Sequence, residues 1–215
     1  MIFCRILLIT LITAMTVGLT APAYGWDGER KGLLAGISAG FGFARIAQTR
    51  PFVDDGSGRV RGLDPPRETR PLIGTDVLLG YAPSNNIDLF VFSSSSWMNM
   101  DLIDPVVVPN TSTSTGILNQ LTGFGLSYYK KQSFLPSAPA GFVTAGVGLG
   151  MISPSTAGLP TRYGPGFMLG GGYEFKKHIR AKLAFQYINV TKKFSGEKFS
   201  VIPWTVKVTI GVLGY

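Results

Sequence analysis

The chain contains very little cysteine, histidine and charge. Among its 215 residues there is one cysteine, Cys4, and one histidine, His178, and charged residues make up 15%. Cys4 precedes the first apolar segment, so the rest of the chain offers no disulfide, thiol nucleophile or cysteine metal site. A lone histidine also gives acid–base catalysis little support. We therefore expect no metal, no cofactor and no enzymatic site.

Long apolar runs are also missing from the interior of the sequence. Mean hydropathy is +0.25, which is high for a soluble protein but low for a helical membrane protein. No internal run approaches the roughly 18 to 20 residues that a membrane-spanning helix needs. This combination favours the membrane proteins whose strands alternate between apolar and polar residues.

Residues 1–25 have the pattern of a secretory signal peptide. Arg5 supplies a positive charge, an apolar segment of about 14 residues follows, and small residues offer cleavage after Ala23 or Gly25. The alternative of a membrane anchor fits less well, because the apolar segment is too short to span a bilayer comfortably. We expect residues 26–215 to form one exported domain that meets no nucleic acid, despite the formal charge of +8.

The segment 166–190 shows the clearest strand pattern. On both sides of a short turn at residues 176–178 the odd positions are apolar, as at Phe167 and Leu169, while the even positions are mostly glycine or charged. Each arm has about ten residues, the length that a tilted strand needs to cross a bilayer. An oily face opposite a face of glycine and charge predicts a transmembrane hairpin with a narrow polar interior.

The same alternation recurs along the rest of the chain. It predicts strands over residues 33–44, 72–81, 87–97, 118–128 and 142–151, and a final strand ending at Tyr215. Within residues 87–92 the sequence fits the alternation only at Asp88, so we expect a β-bulge near Ser93 to Ser96. Glycine on the inward face leaves room for side chains that cross the lumen. The total of eight predicts an all-β fold, an eight-stranded antiparallel up-and-down transmembrane β-barrel.

Four segments interrupt the alternation and are predicted to be loops: residues 45–70, 98–115, 153–165 and 191–198. The first combines prolines, glycines, arginines and acidic residues. In a barrel the long loops lie on the extracellular side. Arginines there suit the phosphates of lipopolysaccharide, and a solvated loop with internal ion pairs is the alternative.

Three features resemble the OmpA/OmpX-like small outer-membrane β-barrel superfamily of Gram-negative bacteria. They are the glycine-alternating first strand, the segment 170–175 with its turn and Tyr187, and the aromatic C-terminus. The resemblance implies location in the outer membrane and contact with its lipids and lipopolysaccharide. It also implies help from periplasmic chaperones and the barrel-assembly machinery during biogenesis. We expect a monomer.

The C-terminus departs from the pattern of that superfamily. Its members usually end in Phe, with apolar residues at alternating positions before it. Here the apolar set runs from Trp204 to Val212 and is out of phase with Tyr215. Either Gly214 carries a bulge or Tyr215 is placed differently.

Alternation places a cluster of charged residues on the inward face of the barrel: Asp76, Glu174, Arg180, Lys182 and Lys207, with Asp88 as a further candidate. Charges inside a narrow lumen are expected to pair, because an unpaired buried charge is strongly disfavoured by desolvation. We interpret the cluster as a structural, salt-bridged plug, as in the interiors of small barrels of this superfamily. The alternative is a gate or a narrow conducting path.

An enzymatic role has weak support. The superfamily includes lipid A deacylases, which carry Ser, His and an acid on the outer rim, and such a site needs a base beside its nucleophile. Here His178 lies in a predicted periplasmic turn, away from Ser195 and Ser200, and residues 187–189 lack a His-x-Ser motif. A lipid A acyl hydrolase is therefore only the alternative to a protein without enzymatic activity.

Together these observations predict an outer-membrane protein with a structural, envelope-integrity or surface-interaction role through its extracellular loops. A narrow pore for small solutes, a lipid A-modifying enzyme and a soluble lipocalin-like binding barrel are the alternatives. The lipocalin-like barrel would need an apolar inward face, whereas glycine, serine and charge share one face of these strands.

Overall fold

The computed structural model describes residues 31–49, 68–103, 112–130, 140–155, 161–176, 178–194 and 197–215, so the predicted signal peptide lies outside the described part. The strands are β1 (Gly32–Thr49), β2 (Glu68–Ser84), β3 (Ile87–Ile103), β4 (Ser112–Tyr129), β5 (Ala140–Pro154), β6 (Arg162–Lys176), β7 (Ile179–Ile188), β8 (Val190–Phe194) and β9 (Glu197–Gly214). None of the described residues belongs to a helix long and apolar enough to cross a membrane.

The strands form one closed, antiparallel barrel. From β1 to β7 each strand pairs with the next in sequence, β7 pairs with β9, and β9 also pairs with β1, which closes the sheet. Both β7 and β8 pair with β9 and are separated only by Asn189, so they are two parts of one barrel strand. The barrel therefore has eight strands in up-and-down order, which confirms the predicted fold class.

The outward face carries an apolar belt, as the alternation predicted. The most exposed large side chains include Phe41, Phe124 and Val147, at 70%, 73% and 65%. Seven aromatic residues on the strands face outward at least in part: Tyr81, Trp97, Tyr128, Tyr163, Phe175, Tyr187 and Trp204. Exposure of this much apolar surface is characteristic of a barrel that faces lipid.

Several strands are longer than predicted and continue into segments expected to be loops. β1 and β9 each have 18 residues, which at about 3.3 Å per residue is longer than a bilayer's hydrocarbon core requires. β1 continues to Thr49, β3 continues to Ile103 and β6 begins at Arg162. Prolines and charges suggested loops in these segments, but the described ones, among them Arg45, Arg70 and Pro165, lie on strands.

The two ends of the barrel differ in what their interiors contain. We call the end that holds Gly32, the short β2–β3 turn and Tyr215 the turn end, and the opposite end the loop end. Near the loop end most inward side chains are apolar and at most 5% exposed, with the buried polar Ser96 and Asn119 among them. The apolar ones are Ala44, Ile46, Leu72, Met98, Ile117, Leu121, Ile152, Ile188, Val190 and Val201. The outward side chains there include Arg45, Thr69, Asn99 and Thr191. The belt is apolar outside and polar inside, whereas the loop end is mostly polar outside and apolar inside, as in a water-exposed β-barrel with an apolar core.

The β-bulge predicted near Ser93 to Ser96 is wrong. β3 pairs with β4 without interruption from Ile87 to Ile103, and the register shift lies instead at the turn between Tyr81 and Ser84. Phe90 and Phe92 point into the lumen, at 7% and 4% exposure. The strand alternates regularly, but Phe90 and Phe92 were interpreted as breaks in the pattern because large aromatic residues were not expected inside a narrow lumen.

The inward aromatic residues fit because glycines of neighbouring strands lie beneath them. A Cβ atom added at Gly146 would lie 2.6 Å from the ring of Phe92, and one added at Gly172 would lie 2.6 Å from the ring of Phe142. Phe90 covers Gly125 in the same way. The alternating glycines thus provide space for crossing side chains, as the sequence predicted, and large and small residues interlock at high density.

Another pair of glycines brings two strands close together, and its substitution gives a testable prediction. A Cβ atom at Gly148 would lie 2.7 Å from Cα of Gly123 on β4. Because this contact is with backbone, relieving it requires a strand to shift. We expect Gly148→Ala to lower the free energy of unfolding by about 1–3 kcal/mol, measured by urea unfolding in lipid vesicles. Gly141→Ala is the control on the same strand, since no heavy atom of the described residues lies within 4 Å of the added carbon. Equal losses in both variants would contradict the prediction.

Candidate functional site in the barrel lumen

Asp76 is the centre of a buried charge network at mid-lumen. Its carboxylate lies 2.7 Å from Lys182 Nζ and 2.5 Å from Lys207 Nζ, and all three side chains are at most 7% exposed. Asp76 comes from β2, whereas the lysines come from β7 and β9. The alternation places each of them inward, and the closed barrel brings them together although 131 residues separate Asp76 from Lys207.

Polar residues extend this network across the lumen. Lys207 Nζ also donates to Ser94 Oγ at 2.7 Å, and Ser94 Oγ donates to Gln186 Oε1 at 2.8 Å. The aliphatic part of Lys207 runs past Gly74, where a Cβ atom would lie 3.1 Å from Lys207 Cδ. One carboxylate therefore attracts two buried cations, and hydrogen bonds from charged donors add to the attraction.

The other predicted charges form a second group at the turn end. Glu174 accepts a hydrogen bond from Tyr215 Oη at 3.0 Å, and the guanidinium of Arg180 lies 5.9 Å from the ring centroid of Phe142. Both charged residues are buried. The five predicted lumen residues are thus all inside the barrel, but they belong to two layers rather than to one cluster.

A small cavity lies between these two layers. Its lining is charged on one side, with Asp76, Arg180 and Lys182, and aromatic on the other, with Phe90 and Phe92. The space is large enough for about one water molecule. Towards the loop end the charge network is followed by the apolar interior described above, in which Leu121 and Ile188 are fully buried.

Comparison with solved structures identifies the fold. OprG, an outer membrane protein from Pseudomonas aeruginosa, matches with a TM-score of 0.51 at 14% identity, covering 87% of this chain and 99% of OprG. The fold is that of a small outer-membrane β-barrel.

Two further small outer-membrane β-barrels match along most of their length. Neisserial surface protein A matches with a TM-score of 0.48 at 14% identity, over 83% of this chain and 96% of that protein. Ail, the attachment invasion locus protein of Yersinia pestis, matches with a TM-score of 0.43 at 12% identity, over 84% and 99%. No protein-family model matches this sequence, and no curated protein matches it.

The C-terminus of this small outer-membrane β-barrel closes its turn end. Pairing between β1 and β9 is regular up to Gly214, so Gly214 carries no bulge, and Tyr215 points inward at 8% exposure. Tyr215 therefore does not join the aromatic residues on the outer surface. Its phase relative to Trp204 and Val212, visible in the sequence, already placed it on the inward face.

His178 is buried beneath the C-terminal residues rather than exposed as a polar turn residue. Its ring lies 4.8 Å from the ring of Tyr215, and Nδ1 lies 2.8 Å from the carbonyl oxygen of Leu213. The backbone of His178 has a φ of 76°, a left-handed conformation that costs about 1–3 kcal/mol for a residue with a Cβ atom. These contacts hold the β6–β7 turn against the end of β9.

The geometry separates His178 from the serines considered as nucleophiles. The backbone of Ser200 pairs with Thr49 at the loop end, whereas His178 lies at the turn end. The intervening length of β9 is about 40 Å at 3.3 Å per residue, and Ser195 lies outside the described residues. Within the described part of the chain, no three His, Cys, Asp or Glu residues are placed to hold a metal ion.

Loss of the Tyr215 hydroxyl should weaken the turn end measurably. We expect Tyr215→Phe to lower the free energy of unfolding by about 1.5–3 kcal/mol, because it removes a hydrogen bond to the buried Glu174 carboxylate. The measurement is urea unfolding in lipid vesicles. Tyr128→Phe provides the control, since Tyr128 is at the same end but 50% exposed on the outer surface. A loss of similar size in Tyr128→Phe would contradict this role for Tyr215.

Proposed function

We propose that this protein resides in the outer membrane of a Gram-negative bacterium and acts in envelope integrity or surface interaction through its extracellular loops. The filled lumen is the observation that carries the proposal. Asp76 is paired with both Lys182 and Lys207 at mid-lumen, and buried, mostly apolar side chains fill the lumen beyond them. A barrel sealed in this way presents its loops and outer surface, rather than a channel, to its surroundings.

Membrane placement rests on the outer face. Large apolar side chains such as Leu33 and Ile210, at 81% and 62% exposure, would be unfavourable in water. In a bilayer they meet acyl chains, while the paired strands satisfy the backbone. Export through the predicted signal peptide, cleaved after Ala23 or Gly25, and folding by chaperones and the barrel-assembly machinery complete the proposal.

Lipopolysaccharide is the proposed partner of the outer surface near the loop end. The guanidinium of Arg45 lies 5.8 Å from the ring centroid of Trp204, where the apolar belt gives way to polar residues. Stacking on an indole favours an arginine and leaves the edge of its guanidinium directed for phosphate contacts. Lipid phosphates are expected at this height on the loop side.

Membrane insertion and sealing can be tested together. A barrel in the outer membrane is expected to migrate differently on gels before and after boiling, and the purified protein should give no discrete conductance steps in a planar bilayer. Recovery as a soluble periplasmic protein would reject the membrane location. Stepwise conductance from the folded protein would reject the sealed lumen and favour a pore for small solutes.

The role of the loops needs a separate experiment. Replacing residues 50–67 with a short Gly-Ser turn joins β1 to β2 and removes the arginine-rich segment. Cells with this variant are compared with wild-type and deletion cells for vancomycin sensitivity and adhesion. If the variant is heat-modifiable on gels but behaves like the deletion, the loop carries the function. Wild-type behaviour would assign the function elsewhere, and a changed lipid A mass spectrum in the deletion strain would support an enzyme.

A further inference from the structure

A small polar patch interrupts the apolar belt on one side of the barrel. It consists of Thr75 on β2, Ser93 on β3, and Gln120 and Thr122 on β4, and we call it the β2–β4 patch. Ser93 pairs directly with Thr122, and Ser95 connects Thr75 to Gln120 in the next row. By the alternation of their strands, all four side chains of the patch point outward, and each is at least partly exposed.

The patch lies inside the belt and not at its edge. Exposed apolar residues flank it along the strands on both sides: Ile73 and Trp97 towards the loop end, and Leu79, Val91 and Phe124 towards the turn end. Across the barrel, the exposed outward residues at comparable distances from the turn end are apolar, among them Leu169, Leu183 and Val208. The polar side chains are therefore confined to one side of a surface that otherwise fits acyl chains.

Hydrogen bonds within the patch satisfy only part of its polar atoms. Gln120 Nε2 donates to Ser93 Oγ at 2.7 Å and lies 3.3 Å from Thr122 Oγ1, and Thr122 Oγ1 donates to Ser93 Oγ at 3.4 Å. No donor from the described residues reaches Gln120 Oε1. An amide oxygen without a donor in hydrocarbon costs several kcal/mol.

We propose that the β2–β4 patch is the contact surface for a second copy of this chain within the membrane. The proposal rests on the membrane location proposed above. A two-fold axis brings the same patch of two copies together, and hydroxyl and amide groups both donate and accept, so each copy offers donors to Gln120 Oε1 of the other. Serine and threonine also let two surfaces approach closely, as small residues do between membrane helices. This dimer replaces the monomer expected from the sequence.

Single-cysteine cross-linking tests the dimer directly. With Cys4→Ser as background, Thr122→Cys is expected to form a covalent dimer when outer membranes are treated with a short thiol-reactive cross-linker. Leu183→Cys is the matched control, because it is a lipid-facing residue on β7, four barrel strands from β3. Dimer in the first variant alone supports the proposal. Equal yields in both, no dimer in either, or a product with a different protein would overturn it.

A second variant tests the hydrogen bonds themselves. Gln120→Leu keeps a side chain of similar size but removes the amide, and it should raise the dimer dissociation constant in lipid vesicles about tenfold, the effect expected for one or two hydrogen bonds within a membrane. Energy transfer between labelled copies, followed on dilution with lipid, gives this constant. An unchanged constant would overturn the proposal. Each variant is first shown to be heat-modifiable in the membrane fraction, so a failed dimer is distinguished from a failed membrane location.

Discussion

Asp76→Asn is expected to lower the free energy of unfolding by about 3–5 kcal/mol, the usual cost of removing one partner from a buried ion pair. The substitution keeps the size of the side chain but removes the charge that faces both Lys182 Nζ and Lys207 Nζ. Two buried cations then remain close together without an acid between them. The loss is measured as a lower urea midpoint in lipid vesicles at an unchanged slope.

A charge-free lumen is the control for that experiment. The variant Asp76→Leu/Lys182→Met/Lys207→Met removes the whole network and fills the lumen with apolar side chains of similar volume. Replacing a complete buried ion network in this way is often neutral or stabilising, so we expect the triple variant to be more stable than Asp76→Asn. An unchanged midpoint in Asp76→Asn, or a triple variant that unfolds more easily than the single one, would contradict the role of Asp76.

Alternation determined from the sequence which face each residue occupies, and the structure confirms this for the charged residues. Asp76 and Lys207 share the phase of a glycine on their strands, Gly74 and Gly211. On β7, which has no glycine, Lys182 lies in the phase opposite to the lipid-facing Leu183. Which charges meet was not predictable, since it depends on how far each strand is offset from the next around the closed barrel. Ser94 and Gln186 join the network for the same reason, although each already lay on the inward phase of its strand.

The predicted loop boundaries are wrong where the surroundings of the barrel change. They follow from one rule, apolar outside and polar inside, applied along every strand. Near the loop end the rule reverses, so Ile46 and Met98 face inward and Arg45 and Asn99 face outward. Alternation continues through this change, but polar and apolar residues exchange faces, and the exchange was interpreted as a loop. A search for strands with apolar residues at the inward positions and polar residues at the outward positions would have found these extensions.

Phe92→Ala is expected to lower the free energy of unfolding by about 3–5 kcal/mol, because it removes a buried ring and leaves a void beside the small cavity at mid-lumen. Phe124→Ala is the control, since Phe124 is 73% exposed on the outer face, where lipid can close around the shortened side chain. Urea unfolding gives both values. A smaller loss for Phe92→Ala than for Phe124→Ala would contradict the packing described for the lumen.

The contact between Phe92 and Gly146 allows a sharper version of this test. Gly146→Ala alone places a methyl group 2.6 Å from the Phe92 ring and should cost about 1–3 kcal/mol. In the double variant Phe92→Ala/Gly146→Ala the ring is gone and the new methyl group occupies part of the void. The combined loss should therefore be smaller than the sum of the single losses by about 0.5–3 kcal/mol. Simple additivity would mean that ring and glycine do not interlock. Ion conductance in a planar bilayer adds a second readout. If Phe92→Ala conducts ions while the wild-type protein and Phe124→Ala do not, the ring of Phe92 is part of the barrier that closes the lumen.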